Sequence, residues 1–281
     1  MSRLLIAVWG LAATVGLLTL VTYTRLPPED LYNVSRDGLD GGAGRTLVYL
    51  NFPVAFVAIG VLLVCLERLR GGAALVAWLG LALCAVAAWP GVLDQDDLDA
   101  RWINAVPAAG VGVALALTAY LLRTGPREAA RRVGRLRPAL AIVFALLAVP
   151  WLFAEAGFFA PDPILADEIP AGEQEVAVHL GGHHGTYGVI LSVSALALSL
   201  LARRAVTSTV LALVLAYGAA LALEDFWHEQ IDKRGTVDWT FPSLLEPRLD
   251  WGWLGIVLAA AAVELGWFRR ERATPRRAAP P

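Results

Sequence analysis

Long apolar runs recur along this chain, and they constrain its fold more than any other feature. A run of about 20 apolar residues can cross the hydrocarbon core of a bilayer, roughly 30 Å thick, as a helix. Because lipid offers no hydrogen-bond partner to the backbone, each such run must be helical. The sequence therefore predicts an all-α integral membrane protein, a bundle of about eight transmembrane helices. The runs cover residues 4–24, 46–66, 73–90, 105–122, 139–159, 184–202, 206–224 and 251–268.

The composition indicates a single membrane domain. Hydrophobic residues make up 57% of the chain, which is well above the average for soluble domains. We predict one polytopic membrane domain over residues 1–268, followed by a basic, proline-rich and disordered cytoplasmic tail over residues 269–281. The first run has no small-residue cleavage motif at its end, so we interpret it as a retained helix rather than a signal peptide.

The charged residues predict the orientation of this domain. Most of the 23 Lys and Arg residues lie at alternate ends of the runs, in stretches such as ERLRGG, ARRAVTS and RRER. The positive-inside rule then places both termini in the cytoplasm. Arginine greatly outnumbers lysine, which is typical of GC-rich bacterial genomes and favours a multi-pass protein of a bacterial plasma membrane. The predicted outer side is acidic, which argues against a nucleic-acid partner. Nothing in the pattern indicates an oligomeric state.

All four histidines of the chain fall on the predicted outer side. His179, His183 and His184 lie together in HLGGHHG, and His228 lies in LEDFWHEQ. Neutral imidazole is the commonest metal ligand in proteins and also carries protons near pH 7. We therefore predict that these histidines bind a divalent metal ion, with zinc as the leading candidate. The alternative is that they are polar loop residues at the ends of helices.

Three carboxylates are predicted to be catalytic at the same depth. Counting the helical rise from the arginine-marked ends puts Glu155 at roughly 27 Å, His184 at roughly 28 Å and Glu224 at about 30 Å. Asp225 follows directly. An acid embedded in a membrane is costly and normally faces a partner or a water-filled cavity. We predict that Glu155 is a metal ligand or the general base for a metal-bound water, and that Glu224 or Asp225 orients a histidine.

Four further polar residues of the predicted outer side are candidates for substrate binding. Arginine there can hold an anionic head group, and asparagine can bind through its amide. These residues are Arg45, Asn51, Asn104 and Arg101.

Together these observations favour a membrane-embedded, metal-dependent enzyme, either a hydrolase or a group transferase. Its site would face outward, and its amphiphilic substrate would arrive from the outer leaflet of the bilayer. The alternative is a non-enzymatic transporter, sensor or assembly factor that binds a cation or protons at the same polar layer. A third explanation is that these polar residues lie at the membrane–water interface and have no function there. The site requires the helices that carry Glu155, His184 and Glu224 to be neighbours.

Overall fold

The chain folds into a helical bundle, as its apolar runs predict. A computed structural model describes the helices and most of the short connections between them, and no β-strand occurs in this part of the chain. The residues described are 2–25, 42–93, 100–125, 133–149, 183–232, 237, 239, 241–245 and 247–273.

The described portions of the predicted runs are mostly helical. Six helical segments are long and apolar enough to cross a membrane, and two apolar helices, Leu136–Leu147 and His184–Ser199, are shorter. The α-helices are α1 (Ser2–Arg25), α2 (Gly42–Leu66), α3 (Gly71–Ala85), α4 (Ala105–Thr124), α5 (Leu136–Leu147), α6 (His183–Ser199), α7 (Ala205–Trp227), α8 (Trp251–Val263) and α9 (Arg269–Ala273). Short 3₁₀ turns follow α3 at Val86–Ala88 and precede α4 at Trp102–Asn104.

Helices α2, α6 and α7 form the centre of the bundle. The membrane-length windows of α2 and α7 are 72% and 61% buried, whereas those of α1, α3, α4 and α8 are at most 33% buried. The outer helices expose large apolar side chains such as Leu75, Trp78 and Leu258. Such exposure is unfavourable in water and ordinary in lipid. Burial and exposure therefore match a bundle whose outer helices face hydrocarbon.

The helical hairpin of α6 and α7 is held together by small residues. A Cβ atom added to Gly188 would lie 2.5 Å from the Cβ of Ala222 and 2.7 Å from its backbone nitrogen. One added to Gly218 would lie 2.7 Å from the Oγ of Ser192. The two backbones therefore approach as closely as small residues allow, which is a common way to pack helices in membranes.

One end of the bundle carries the turns after α2 and α6, and we call it the Glu67 end. There the buried carboxylate of Glu67 accepts hydrogen bonds from the backbone N–H groups of Arg203 and Arg204, each at 2.8 Å. The Nη2 of Arg68 donates to the carbonyl of Leu201 at 2.8 Å. The turn after α2 thereby supplies hydrogen-bond partners to backbone N–H and carbonyl groups just before the first turn of α7. A carboxylate at a helix N-terminus is also favourable because of the helix dipole.

Replacing Glu67 tests how much these hydrogen bonds contribute to stability. Glu67→Ala is expected to lower the free energy of unfolding by about 1–3 kcal/mol, since it leaves the backbone N–H groups of Arg203 and Arg204 without their carboxylate acceptor. Glu67→Gln keeps one acceptor oxygen and should lose less. Thermal unfolding in detergent measures both. Equal midpoints for wild type and Glu67→Ala would show that water replaces the carboxylate without loss.

A second polar cluster at the Glu67 end surrounds Arg137. This side chain is buried, and its guanidinium pairs with Glu271, with an Nη2–Oε2 distance of 2.7 Å. Its Nη2 donates to the Oγ of Ser199 at 3.1 Å, and its Nε donates to the carbonyl of Leu196 at 3.2 Å. The ring of Trp267 lies 4.7 Å from the guanidinium carbon. Arg137 therefore joins α5, α6 and the C-terminal helix.

The last helix continues past the boundary predicted at residue 268. A π-helical turn spans Glu264–Phe268, and α9 then reaches Ala273. The carboxylate of Glu264 accepts hydrogen bonds from Ser208 and Arg272. Residues 269–273 thus belong to the fold through their own ion pairs, and the rest of the predicted tail lies outside the described residues.

Candidate functional site

The opposite end of the bundle, where α6 begins and α7 finishes, is called the His184 end. There the Nδ1 atom of His184 lies 2.8 Å from the Oε2 atom of Glu224. The two side chains are only 17% and 8% exposed. Residues 200–204 form a short turn between α6 and α7, so residues about equally far from that turn face each other. The depth count therefore placed His184 and Glu224 correctly at one level, and the two residues are in direct contact.

Asp225 lies beside this pair. A Cβ atom on Gly185 would come within 2.5 Å of the Asp225 Oδ2 atom, so the carboxylate occupies the space that a larger residue would fill. Two acids from the last turn of α7 thus flank the first turn of α6, one against His184 and one against Gly185. Because residue 185 is a glycine, there is room for the carboxylate of Asp225 at this position.

The contact with Glu224 determines the chemistry available to His184. An ionised carboxylate only accepts hydrogen bonds, so the ring proton of a neutral His184 must sit on Nδ1. In that tautomer the lone pair lies on Nε2. A neutral imidazole in this tautomer is the form that binds a metal ion or accepts a proton.

Aromatic packing places Arg45 near the same level. The rings of Tyr49 on α2 and Tyr187 on α6 lie 5.3 Å apart. Arg45 is buried one turn before Tyr49, and His184 lies three residues before Tyr187. Both helices begin at the His184 end and run in the same direction. A buried cation is therefore positioned on α2 at the level of the histidine and the two acids.

His228 contacts an acid other than Glu224, which lies one helical turn before it. Its Nδ1 atom lies 3.2 Å from the Oδ2 of Asp232, inside the π-helical turn His228–Asp232 that continues α7. The His228 side chain is 45% exposed. Glu224 contacts His184 instead. π-helical turns are rare and often occur at functional sites, but the more buried imidazole–carboxylate pair is the one between α6 and α7.

The predicted asparagines also contact each other. The amide nitrogen of Asn51 donates to the backbone carbonyl of Asn104 at 2.7 Å. The side-chain oxygen of Asn104 in turn accepts from the backbone N–H of Arg101 at 2.8 Å. Both asparagines are buried. Their amides hold the start of α4 against α2, a structural use that the sequence did not predict.

The predicted metal site can be followed only in part. Glu155 and His179 lie outside the described residues, and His183 is described only as the first residue of α6. Among the described residues, no three His, Cys, Asp or Glu side chains form a group that could hold a metal ion. Helices α5, α6 and α7, which the site requires to be neighbours, do pack against one another.

Three buried charged residues are not among those predicted from the sequence. They are Glu67, Arg137 and Glu264. Their sequence positions, beside turns and at helix ends, are those of ordinary interfacial charges, and no local pattern distinguishes them.

Comparison with known proteins provides no relative from which roles could be transferred. No protein-family model, curated protein or solved structure matches this chain.

Proposed function

We propose that this protein is a membrane-embedded, metal-dependent enzyme, a hydrolase or group transferase, whose site at the His184 end acts on an amphiphilic substrate. The observation that carries the proposal is the contact of 2.8 Å between His184 and Glu224, both largely buried. Burying an ionisable pair at the ends of apolar helices is costly, and such pairs in membrane proteins are usually functional.

In this proposal His184 binds a divalent metal ion, most simply zinc, through Nε2. His179 and His183 precede it in the chain and complete the ligand set. Glu224 orients the ring of His184. Glu155 serves as a further ligand or as the base for a metal-bound water. Asp225 and Arg45 supply one negative and one positive group at the same level, and Arg45 would balance charge on an anionic substrate.

The proposal places the protein in a plasma membrane as a bundle of eight transmembrane helices. The arginines of the Glu67 end face the cytoplasm, since positive residues accumulate on that side. Both termini are then cytoplasmic, and the His184 end faces outward. Substrate reaches the site from the outer leaflet.

Metal analysis of detergent-purified protein tests the proposal. Wild type is expected to carry metal in stoichiometric amount. His184→Ala should lose it, and Glu224→Gln should weaken metal binding by roughly 10–100-fold, the effect usual for removal of a carboxylate that orients a ligand. His228→Ala is the matched control, because this side chain is 45% exposed and its carboxylate contact lies within its own helical turn, and it should retain the metal. Wild type without metal, or His184→Ala with a full complement, would refute the proposal.

A second candidate function rests on the same contact. A buried imidazole–carboxylate pair at the end of a membrane helix also suits a carrier or sensor of protons or cations. Proton uptake by reconstituted vesicles that depends on Glu224, in protein that contains no bound metal, would favour this carrier over the enzyme.

A further inference from the structure

A lateral groove opens between α1, α2 and α4, away from the His184 contact. Its volume is about 630 Å³, within the range of ligand sites. Residues of all three helices form its walls, and most are apolar. The lining residues include Trp9, Ala13, Leu47, Val54, Gly112 and Leu115.

The extent of the groove along the helices matches one leaflet of a bilayer. On α1 the lining runs from Trp9 to Leu20, and on α2 from Ala43 to Val54. Each stretch rises about 16 Å, or roughly half of the 30 Å hydrocarbon core. Trp9 donates a hydrogen bond to Thr118 at 3.1 Å at the deep limit. The groove therefore begins at the His184 end and stops near the middle of the membrane.

Two polar residues are among the lining residues of α2. Both Thr46, near the His184 end, and Asn51, near the deep limit, are buried. Asn51 donates to the carbonyl of Asn104, which closes a turn with Arg101. The side chain of Arg101 is exposed, and its backbone N–H donates to the side chain of the same Asn104. An apolar groove one leaflet deep complements a hydrocarbon chain, and Arg101, linked to the lining residue Asn51 through Asn104, supplies a cation for an anionic head group.

We infer that this groove binds one hydrocarbon chain of an anionic phospholipid from the leaflet at the His184 end, with the head group beside Arg101. The inference does not depend on the proposed function, because it invokes neither His184 nor a metal ion. The open space at Gly112 is the access point. A Cβ atom there meets nothing within 4 Å, so the groove passes directly over the α4 backbone.

Photolabelling in vesicles tests the inference. The probe is phosphatidylglycerol with a diazirine on one chain, present as a trace in phosphatidylcholine vesicles that contain the full-length protein. Labelled peptides are then located by mass spectrometry. Label is expected on α1, α2 and α4, and unlabelled phosphatidylglycerol should compete it away. Label spread evenly over the lipid-facing helices would overturn the inference.

Groove-filling variants give the decisive comparison. Gly112→Leu and Ala13→Leu extend a side chain into the groove from two different walls, and each should reduce its labelling roughly tenfold, equivalent to about 1.4 kcal/mol of binding. Gly10→Leu is the matched control. Gly10 lies next to Trp9 but outside the lining, and a Cβ there also meets nothing within 4 Å. Equal labelling of the control and both filled variants would contradict the inference.

A substitution at Arg101 tests the position of the anionic head group. Arg101→Gln should reduce labelling by the phosphatidylglycerol probe to the level given by the same diazirine chain on phosphatidylcholine. Equal labelling by the two probes in wild type would overturn the assignment of an anionic head group. Size-exclusion profiles identify any variant that fails to fold, and the other groove-filling variant then decides the outcome.

Discussion

Gly188→Ala is expected to lower the free energy of unfolding by about 1–3 kcal/mol, and Gly188→Leu to prevent the α6–α7 hairpin from forming. The added Cβ would lie 2.5 Å from the Cβ of Ala222, 2.7 Å from its nitrogen and 2.8 Å from its Cα. These are backbone or backbone-adjacent atoms, so rotation of a side chain cannot relieve the overlap. The helices must separate along their length, and α6 and α7 are both central to the core.

The same substitutions at Gly255 are the control. Gly255 lies in α8, and a Cβ there meets nothing within 4 Å. Gly255→Ala and Gly255→Leu should therefore leave stability unchanged within about 0.5 kcal/mol. Unfolding in mixed detergent micelles, followed by circular dichroism, measures all four variants. A Gly188→Ala protein as stable as Gly255→Ala would mean that the hairpin tolerates a wider separation.

The hairpin variants also connect stability to the site. His184 and Glu224 lie on the two helices that Gly188 holds together, so under the proposed function Gly188→Ala should reduce metal binding along with stability. Gly185→Ala differs, because its Cβ meets the Asp225 carboxylate and not the backbone. A carboxylate can rotate away at little cost. Gly185→Ala should therefore keep most of the stability while displacing Asp225. Loss of metal without loss of stability would identify Asp225 as part of the site.

The helices could be predicted because membrane insertion depends on local sequence. Apolar length and backbone satisfaction are properties of each run alone. That His184 and Glu224 lie at the same depth could also be predicted from the local sequence. A short turn makes two helices antiparallel neighbours, so the depth of a residue follows from its distance along the chain to the turn. This counting applies to the α6–α7 hairpin, whose connection is only a few residues long.

Contacts between helices distant in sequence could not be predicted in this way. Arg137 pairs with Glu271, which is 134 residues further along the chain. Which faces of α5 and α9 meet depends on how the whole bundle packs. The same limitation applies to His228, where helical spacing allowed Glu224 as a partner and a π-helical turn instead brings Asp232 to it. The metal ligands predicted at Glu155 and His179 stay predictions.

Arg137→Gln is expected to lower the free energy of unfolding by about 3–5 kcal/mol, the usual cost of breaking a buried ion pair by removing one partner. The guanidinium is 4% exposed and contacts Glu271, Ser199 and the carbonyl of Leu196. Glutamine is too short and has too few donors to replace these bonds. Glu271 is 30% exposed, so water can reach it, and the loss should fall toward the lower end of that range.

Two comparisons separate the ion pair from a general effect of removing arginine. Arg123 is exposed in the last turn of α4, and Arg123→Gln should change stability by no more than about 0.5 kcal/mol. Arg137→Lys keeps the positive charge but loses the planar fork, so it should fall between wild type and Arg137→Gln. If Arg137→Lys is as stable as wild type, charge alone holds α5 to the C-terminal helix. If Arg137→Gln matches Arg123→Gln, the cluster contributes nothing, and apolar packing by itself positions these helices.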